Sequence, residues 1–186
     1  MADLEELYRE IILDHYRSPR NRGELESPPA HRVEGFNPLC GDEVVVSLLV
    51  EDGKLSDLKI GGSGCSISQS SASLMSAAVK GKELAEVRRL IDTFKSMMSI
   101  HESHLGADGE GSEASGDSGG HGGGGGGGRG GDNDGQNGEE AELIDLNRLG
   151  ELAALQGVVK FPVRIKCATL SWNALAQGLD EVTQHS

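Results

Sequence analysis

The sequence predicts an α+β fold in which helices flank an antiparallel β-meander. Three observations predict it. The chain opens with apolar residues at helical spacing. An apolar run rich in valine and leucine then meets an Asp-Gly pair and returns as an alternating run. From Cys65 onward the pattern is again mainly helical, apart from a glycine-rich interruption and one short extended segment.

Leu4, Leu7, Ile11 and Ile12 fall on one helical face, so a helix is expected from Leu4 to Tyr16, with Asp3 available as its cap. Ser18-Pro19-Arg20-Asn21-Arg22-Gly23 breaks it. His31 to Phe36 reads as a short strand and Asn37 to Asp42 as a turn. Glu43 to Glu51 is the next strand, Asp52-Gly53 a two-residue hairpin, and Leu55 to Ile60 the returning strand. Gly61-Gly62-Ser63-Gly64 is expected to end that strand. Cys65-Ser66 opens a helix to about Lys80, closed by Gly81, and a further helix is expected from Glu83 to about His104. Beyond the glycine-rich stretch, a short helix is expected from Asp145 to Leu155, ended by Gly157. Val158 to Lys166 reads as extended and interrupted by Pro162. A last helix is expected from Cys167 through Gln177, ended by Gly178.

Of 28 glycines, 17 fall between Gly106 and Gly138, seven of them consecutive. Almost no apolar side chain interrupts residues 106–140, so this low-complexity stretch cannot offset its chain entropy and reads as a disordered insertion. The remaining chain, about 150 residues, suffices for one core, so residues 1–186 are read as a single domain. The formal net charge is −13, and the insertion with its eight acids and one base holds −7 of it. Nothing resembles the basic footprint of a nucleic-acid binder. No apolar stretch is long enough to span a membrane. The start, Met1-Ala2-Asp3-Leu4-Glu5-Glu6, is acidic and not an apolar leader. A cytoplasmic protein with reduced thiols is expected.

Three cysteines, Cys40, Cys65 and Cys167, stand 25 and 102 residues apart, with no Cys-x-x-Cys pair. Spacing alone leaves them open to a structural reading. Their contexts point further. Cys40 lies in a turn between Pro38 and Gly41, and Cys65 and Cys167 lie at predicted helix starts. A helix start offers free N–H groups and partial positive charge, which favour the thiolate that binds metal and attacks sulfur. Asp42 follows Cys40 by two residues and can project to the same side. A turn-stabilising aspartate explains Asp42 equally well. Three thiolates and a carboxylate would make a closed tetrahedral set suited to zinc. Arg164 and Lys166 are expected to share a face of the extended segment and to favour the thiolates beside them. His15 reads more simply as a helix-end residue than as part of a site. His31 and His185 show no partner, and Trp172 and Leu175 read as core.

Three segments carry a resemblance: Asn37-Pro38-Leu39-Cys40-Gly41-Asp42, Gly64-Cys65-Ser66-Ile67-Ser68-Gln69, and Phe161-Pro162-Val163-Arg164-Ile165-Lys166-Cys167-Ala168-Thr169. They resemble the cysteine motifs of the SufU family, within the IscU/NifU N-terminal group of iron–sulfur cluster assembly proteins. The opening helix, with Pro19, Asn21 and Gly23, resembles that of the same group. The resemblance implies a three-stranded antiparallel sheet backed by helices, with Cys40, Asp42, Cys65 and Cys167 meeting at one exposed tip. It also implies one of two activities. SufU-type members are zinc-bound sulfur acceptors for a SufS-type cysteine desulfurase, upstream of a SufB/SufC/SufD-type scaffold complex. IscU-type members are scaffolds on which an iron–sulfur cluster forms.

Three features favour the zinc-dependent acceptor. Lys166 stands where the scaffolds carry histidine, and an ammonium has no lone pair for iron. Lys160-Phe161-Pro162-Val163-Arg164 replaces the scaffolds' chaperone-recognition segment. An insertion precedes the third cysteine. On that reading Cys40 is the sulfur acceptor, because it sits on a glycine-flanked loop. A desulfurase group would replace it on zinc, while Asp42, Cys65 and Cys167 stay in place.

Overall fold

The computed structural model describes residues 4–105 and 149–185. The glycine-rich insertion and the first residues of the helix predicted from Asp145 lie outside them.

Helix α1 spans Leu4–Arg17. Strands β1 (His31–Asn37), β2 (Asp42–Glu51) and β3 (Lys54–Ser63) form one antiparallel sheet in the order β1-β2-β3. Asn37 pairs with Asp42 and Glu51 with Lys54, so both hairpins are tight. The second turns on Asp52 and Gly53, both at positive φ, the backbone that an Asp-Gly pair adopts most readily in a two-residue hairpin. Helices α2 (Ser66–Val79) and α3 (Leu84–Leu105) follow. A 3-10 segment spans Gly150–Lys160, and helix α4 spans Pro162–Gln184. The predicted class, an antiparallel three-stranded sheet with helices, is the class observed.

Helix α4 packs on β1 and β2, and α2 packs on β3, so both cover one face of the sheet. Alternation follows: Val44, Val46 and Leu48 point into the core, while Glu43 on the same strand is exposed. Helix α1 lies outside α2 and touches the 3-10 segment. Trp172 is fully enclosed and stacks on Phe94 with ring centroids 4.3 Å apart. Its indole N–H donates to Ser71 Oγ at 3.2 Å, so the buried polar edge is satisfied. Leu175 is likewise buried, as expected.

Several boundaries differ from expectation, each for a physical reason. Strand β3 continues through Gly61 and Gly62 to Ser63 because these residues pair with Val45 and Val44. A Cβ on Gly62 would lie 2.2 Å from the Glu43 carbonyl oxygen, so only glycine permits the pairing there. Val158 to Lys166 is not extended. The 3-10 segment runs through Gly157 to Lys160, and α4 begins at Pro162. Proline in the first turn of a helix loses no hydrogen bond and brings a suitable φ, so Pro162 starts this helix and does not interrupt a strand. Nor does Gly178 end α4, which continues to Gln184. A Cβ at Gly178 would sit 2.5 Å from Leu48 Cδ2 and 2.9 Å from Val33 Cγ2. This glycine lets the helix approach the sheet.

Candidate metal centre

The tight β1–β2 turn builds the first half of the site. Asn37 Oδ1 accepts the Leu39 N–H at 3.2 Å, and the Gly41 N–H donates to the Asn37 carbonyl at 2.9 Å. Gly41, at φ +68°, turns the chain back into β2. Cys40 is left exposed at the tip, while Asp42, the first residue of β2, is fully buried.

The second half comes from the start of α2. Cys65 caps this helix, and its sulfur accepts the Ser68 N–H at 3.4 Å. The Cys65 N–H donates to Asp42 Oδ1 at 2.8 Å, and the Cys65 thiol lies 3.5 Å from Asp42 Oδ2. Gly64 makes this approach possible, since a Cβ there would stand 2.5 Å from Asp42 Oδ1.

Helix α4 supplies the third cysteine. Cys167 is buried, and its thiol reaches Cys40 Sγ at 3.2 Å. Asn37 Nδ2 lies 3.7 Å from the Cys167 sulfur. Ligand atoms of Cys40, Asp42 and Cys167 all lie within 4.8 Å of one another. A single tetrahedral zinc ion with thiolate and carboxylate ligands places its donors about 3.3–3.8 Å apart. The Cys40–Cys167 and Cys65–Asp42 separations, 3.2 and 3.5 Å, fall close to that spacing, and the thiol and carboxylate donors are of the type such an ion takes. Among the described residues no lysine, arginine or histidine hydrogen-bonds to these thiols or to Asp42. The cluster is therefore acidic groups facing one another, an arrangement that a bound cation relieves.

The structure sets Cys40, Asp42 and Cys167 in one group, places Cys65 outside that mutual 4.8 Å spacing but 3.5 Å from Asp42, and changes the account of Cys167. It lies in the second turn of α4, not at a helix start. Burial, then the neighbouring Asp42 and Cys40, then the charge of Cys65, push its thiol well above the usual range. Without a metal, Cys167 is held as the thiol. The shared face expected for Arg164 and Lys166 also fails. On a helix, residues two apart point about 200° apart. Both side chains are exposed, and among the described residues neither hydrogen-bonds to the cysteines.

Three histidines that the sequence left aside matter structurally. His15 is buried on α1, with Nδ1 2.8 Å from Ser73 Oγ and Nε2 3.1 Å from Glu151 Oε2. No sequence signal shows this, since its partners are 58 and 136 residues away. His31 pairs with Glu181 on α4, and the ring of His185 meets the Glu181 carbonyl at 2.6 Å.

The model of the NifU-like N terminal domain family matches residues 7–115. The chain belongs to this family. The chain is similar to named proteins of both classes weighed above. The zinc-dependent sulfurtransferase SufU of Bacillus subtilis (strain 168) is 36% identical over 178 residues, covering 96% of this chain and 92% of its own. The iron-sulfur cluster assembly scaffold protein IscU of Streptococcus pyogenes serotype M1 is 31% identical over 179 residues, covering 96% and 86%. Among solved structures, a candidate iron-sulfur cluster assembly scaffold protein for the SUF system from Fervidobacterium islandicum AW-1 superposes with a TM-score of 0.65. It is 27% identical and covers 95% of this chain and 99% of its own. The family's sheet and helices are those described here, and no described helix is long and apolar enough to cross a membrane.

Proposed function

We propose that this protein is a zinc-dependent sulfur acceptor of iron–sulfur cluster assembly, taking persulfide sulfur from a SufS-type cysteine desulfurase in the cytoplasm. Cys40, Asp42, Cys65 and Cys167 would hold the zinc. When bound, zinc would keep the thiols deprotonated at neutral pH and protect them from oxidation. The observation that carries the reading is the contrast within the cluster. Cys167 and Asp42 are buried, while Cys40 is exposed at the tip of a turn. Cys65 is half-buried, so Cys40 is the thiol most accessible to a sulfur carried by another protein.

In the transfer, the Cys40 thiolate attacks the terminal sulfur of the partner's cysteine persulfide. A new S–S bond forms at Cys40, the partner's S–S bond breaks, and the partner's cysteine leaves as a thiolate. Arg164 and Lys166 put positive charge on the first turns of α4, where it favours the anionic sulfur species. From here sulfur would pass to a SufB/SufC/SufD-type scaffold complex. Similarity to the SufU of Bacillus subtilis supports the acceptor reading, and Lys166 beside Cys167 supports it over the scaffold reading, which the similarity to an IscU keeps as the second.

Desulfurase turnover with and without this protein, alongside metal and sulfide analysis of anaerobically prepared material, tests the reading. Wild type should stimulate turnover and carry zinc without sulfide. Cys40→Ala should abolish the stimulation. A cluster that reconstitutes and transfers at a competent rate to an apo-protein would instead favour the scaffold. Normal stimulation by Cys40→Ala together with its loss in Cys167→Ala would overturn the assignment of Cys40.

A further inference from the structure

A groove of about 720 Å³ runs between α1, the start of α2, the 3-10 segment and the start of α4. Tyr8, Arg9 and Ile12 form one wall, Ile67 the floor, and Phe161 and Arg164 the other wall. Phe161 is 62% exposed, an unusual state for a phenylalanine at the mouth of a groove. The groove abuts two of the cysteine segments. Ser66 lines it and directly follows Cys65, and Arg164 lies one turn before Cys167. Val163 beside Phe161, and Phe36 and Leu39 beside Cys40, continue the exposed apolar surface around the site. An apolar patch of this kind, rimmed by charge, is a mark of an interaction surface.

The charge of the groove runs against that of the chain. The protein carries a formal −13, yet the groove is lined by Arg9, Lys160 and Arg164 against Glu5 alone. Glu5 is already paired with Lys160 at 3.0 Å. Among the described residues no carboxylate pairs with Arg9 or Arg164. The groove therefore offers an apolar floor and two unneutralised guanidinium groups, which favour planar pairing with carboxylates.

We propose that this groove docks an apolar, acid-flanked segment of the sulfur-donating partner, and so sets the donor persulfide against Cys40. The proposal rests on the function proposed above. The groove supplies affinity and register, and Cys40 supplies the chemistry. Separate residues carry the two roles, so they can be separated experimentally.

The test is calorimetric binding of a SufS-type cysteine desulfurase to the zinc-loaded full chain. Arg9→Glu and Phe161→Asp should each weaken binding by about tenfold or more, as expected for a charge reversal and for loss of an aromatic contact at an interface. Arg9→Lys should keep most of the affinity, and wild-type binding should weaken as salt rises. Zinc content and melting temperature report whether each variant is folded. Arg9 lies on the surface of α1, so Arg9→Glu decides the matter if Phe161→Asp disturbs the start of α4. Wild-type affinity in both groove variants, with normal stimulation of turnover, overturns the docking surface and leaves the function standing. Groove variants that alter only self-association also overturn it, by assigning the groove to a second copy of this chain. A wild-type chain that neither binds nor stimulates the desulfurase overturns the function, and the docking surface with it.

Discussion

Two polar clusters meet helix α2, one along its length and one at its start, and they are built in opposite ways. Along the helix, His15, Asn21, Ser73 and Ser76 each meet a complementary partner. The Arg20 N–H donates to Ser73 Oγ at 2.8 Å, which leaves the Ser73 hydroxyl to donate to His15 Nδ1. The His15 Nε2–H can then donate to Glu151. Asn21 Nδ2 donates to Ser76 Oγ at 3.1 Å, and that hydroxyl donates to the Ser73 carbonyl at 2.7 Å. This network fastens α1 and the loop after it to α2, and it needs nothing from outside. At the start of the helix, three thiols and a carboxylate face one another, and no cationic side chain among the described residues is bonded to them. The difference separates a polar cluster that holds the fold from one whose groups would suit a cation. A satisfied cluster is structure; a cluster of like acids is relieved by a bound cation.

The comparison can be broken first at Asp42. Asp42→Ala should reduce zinc from about one ion per chain to almost none, because a closed four-ligand site loses a ligand and the tie to Cys65. Gly64→Ala should also lower zinc content, since its Cβ would collide with Asp42 Oδ1. Metal analysis after dialysis checks both. Normal zinc in Asp42→Ala would show that the acidic cluster is not the metal site.

His15→Ala should act on the other cluster alone. It removes the acceptor of the buried Ser73 hydroxyl and the packing of the buried ring, and should cost about 1–3 kcal/mol of stability while zinc stays bound. Thermal denaturation with parallel zinc analysis reads both. Loss of zinc in a folded His15→Ala protein would show that the two clusters are coupled.

The smallest effect is a pH dependence confined to the metal-free protein. The Cys167 thiol is pushed up by burial and its acidic neighbours. The folded chain therefore holds this proton more tightly than the unfolded chain does. The resulting stability is fully present below the ordinary thiol range near about pH 8.5, and it is lost as pH rises through the raised value. Melting temperatures of metal-free protein should fall between about pH 8 and pH 10 more steeply than those of Cys167→Ser, the control for other titrating groups. Parallel profiles would remove Cys167 from the account.

Much of the fold was legible because its signals are local. Asp52-Gly53 dictates its own turn, and the apolar alternation of β2 needs no partner to be read. The site was legible in part. Cys65 at a helix start and Cys40 in a turn follow from neighbouring residues. The position of Cys167 did not, because Pro162 reads both as a breaker and as a helix opener, and only packing decides between them. The same ambiguity misplaced Arg164 and Lys166 on one face. Gly178 reads as a helix stop until the sheet beneath it is seen. His15 was illegible because its meaning lies in partners far along the chain.

The most direct measurement is to locate the transferred sulfur. Zinc-loaded protein is incubated with a SufS-type cysteine desulfurase and cysteine, its thiols are trapped by alkylation, and its peptides are resolved by mass spectrometry. The account predicts a persulfide on Cys40, with Cys65 and Cys167 unmodified. A persulfide on Cys65 or Cys167 while Cys40 stays bare, or no transferred sulfur on the chain at all, would contradict it.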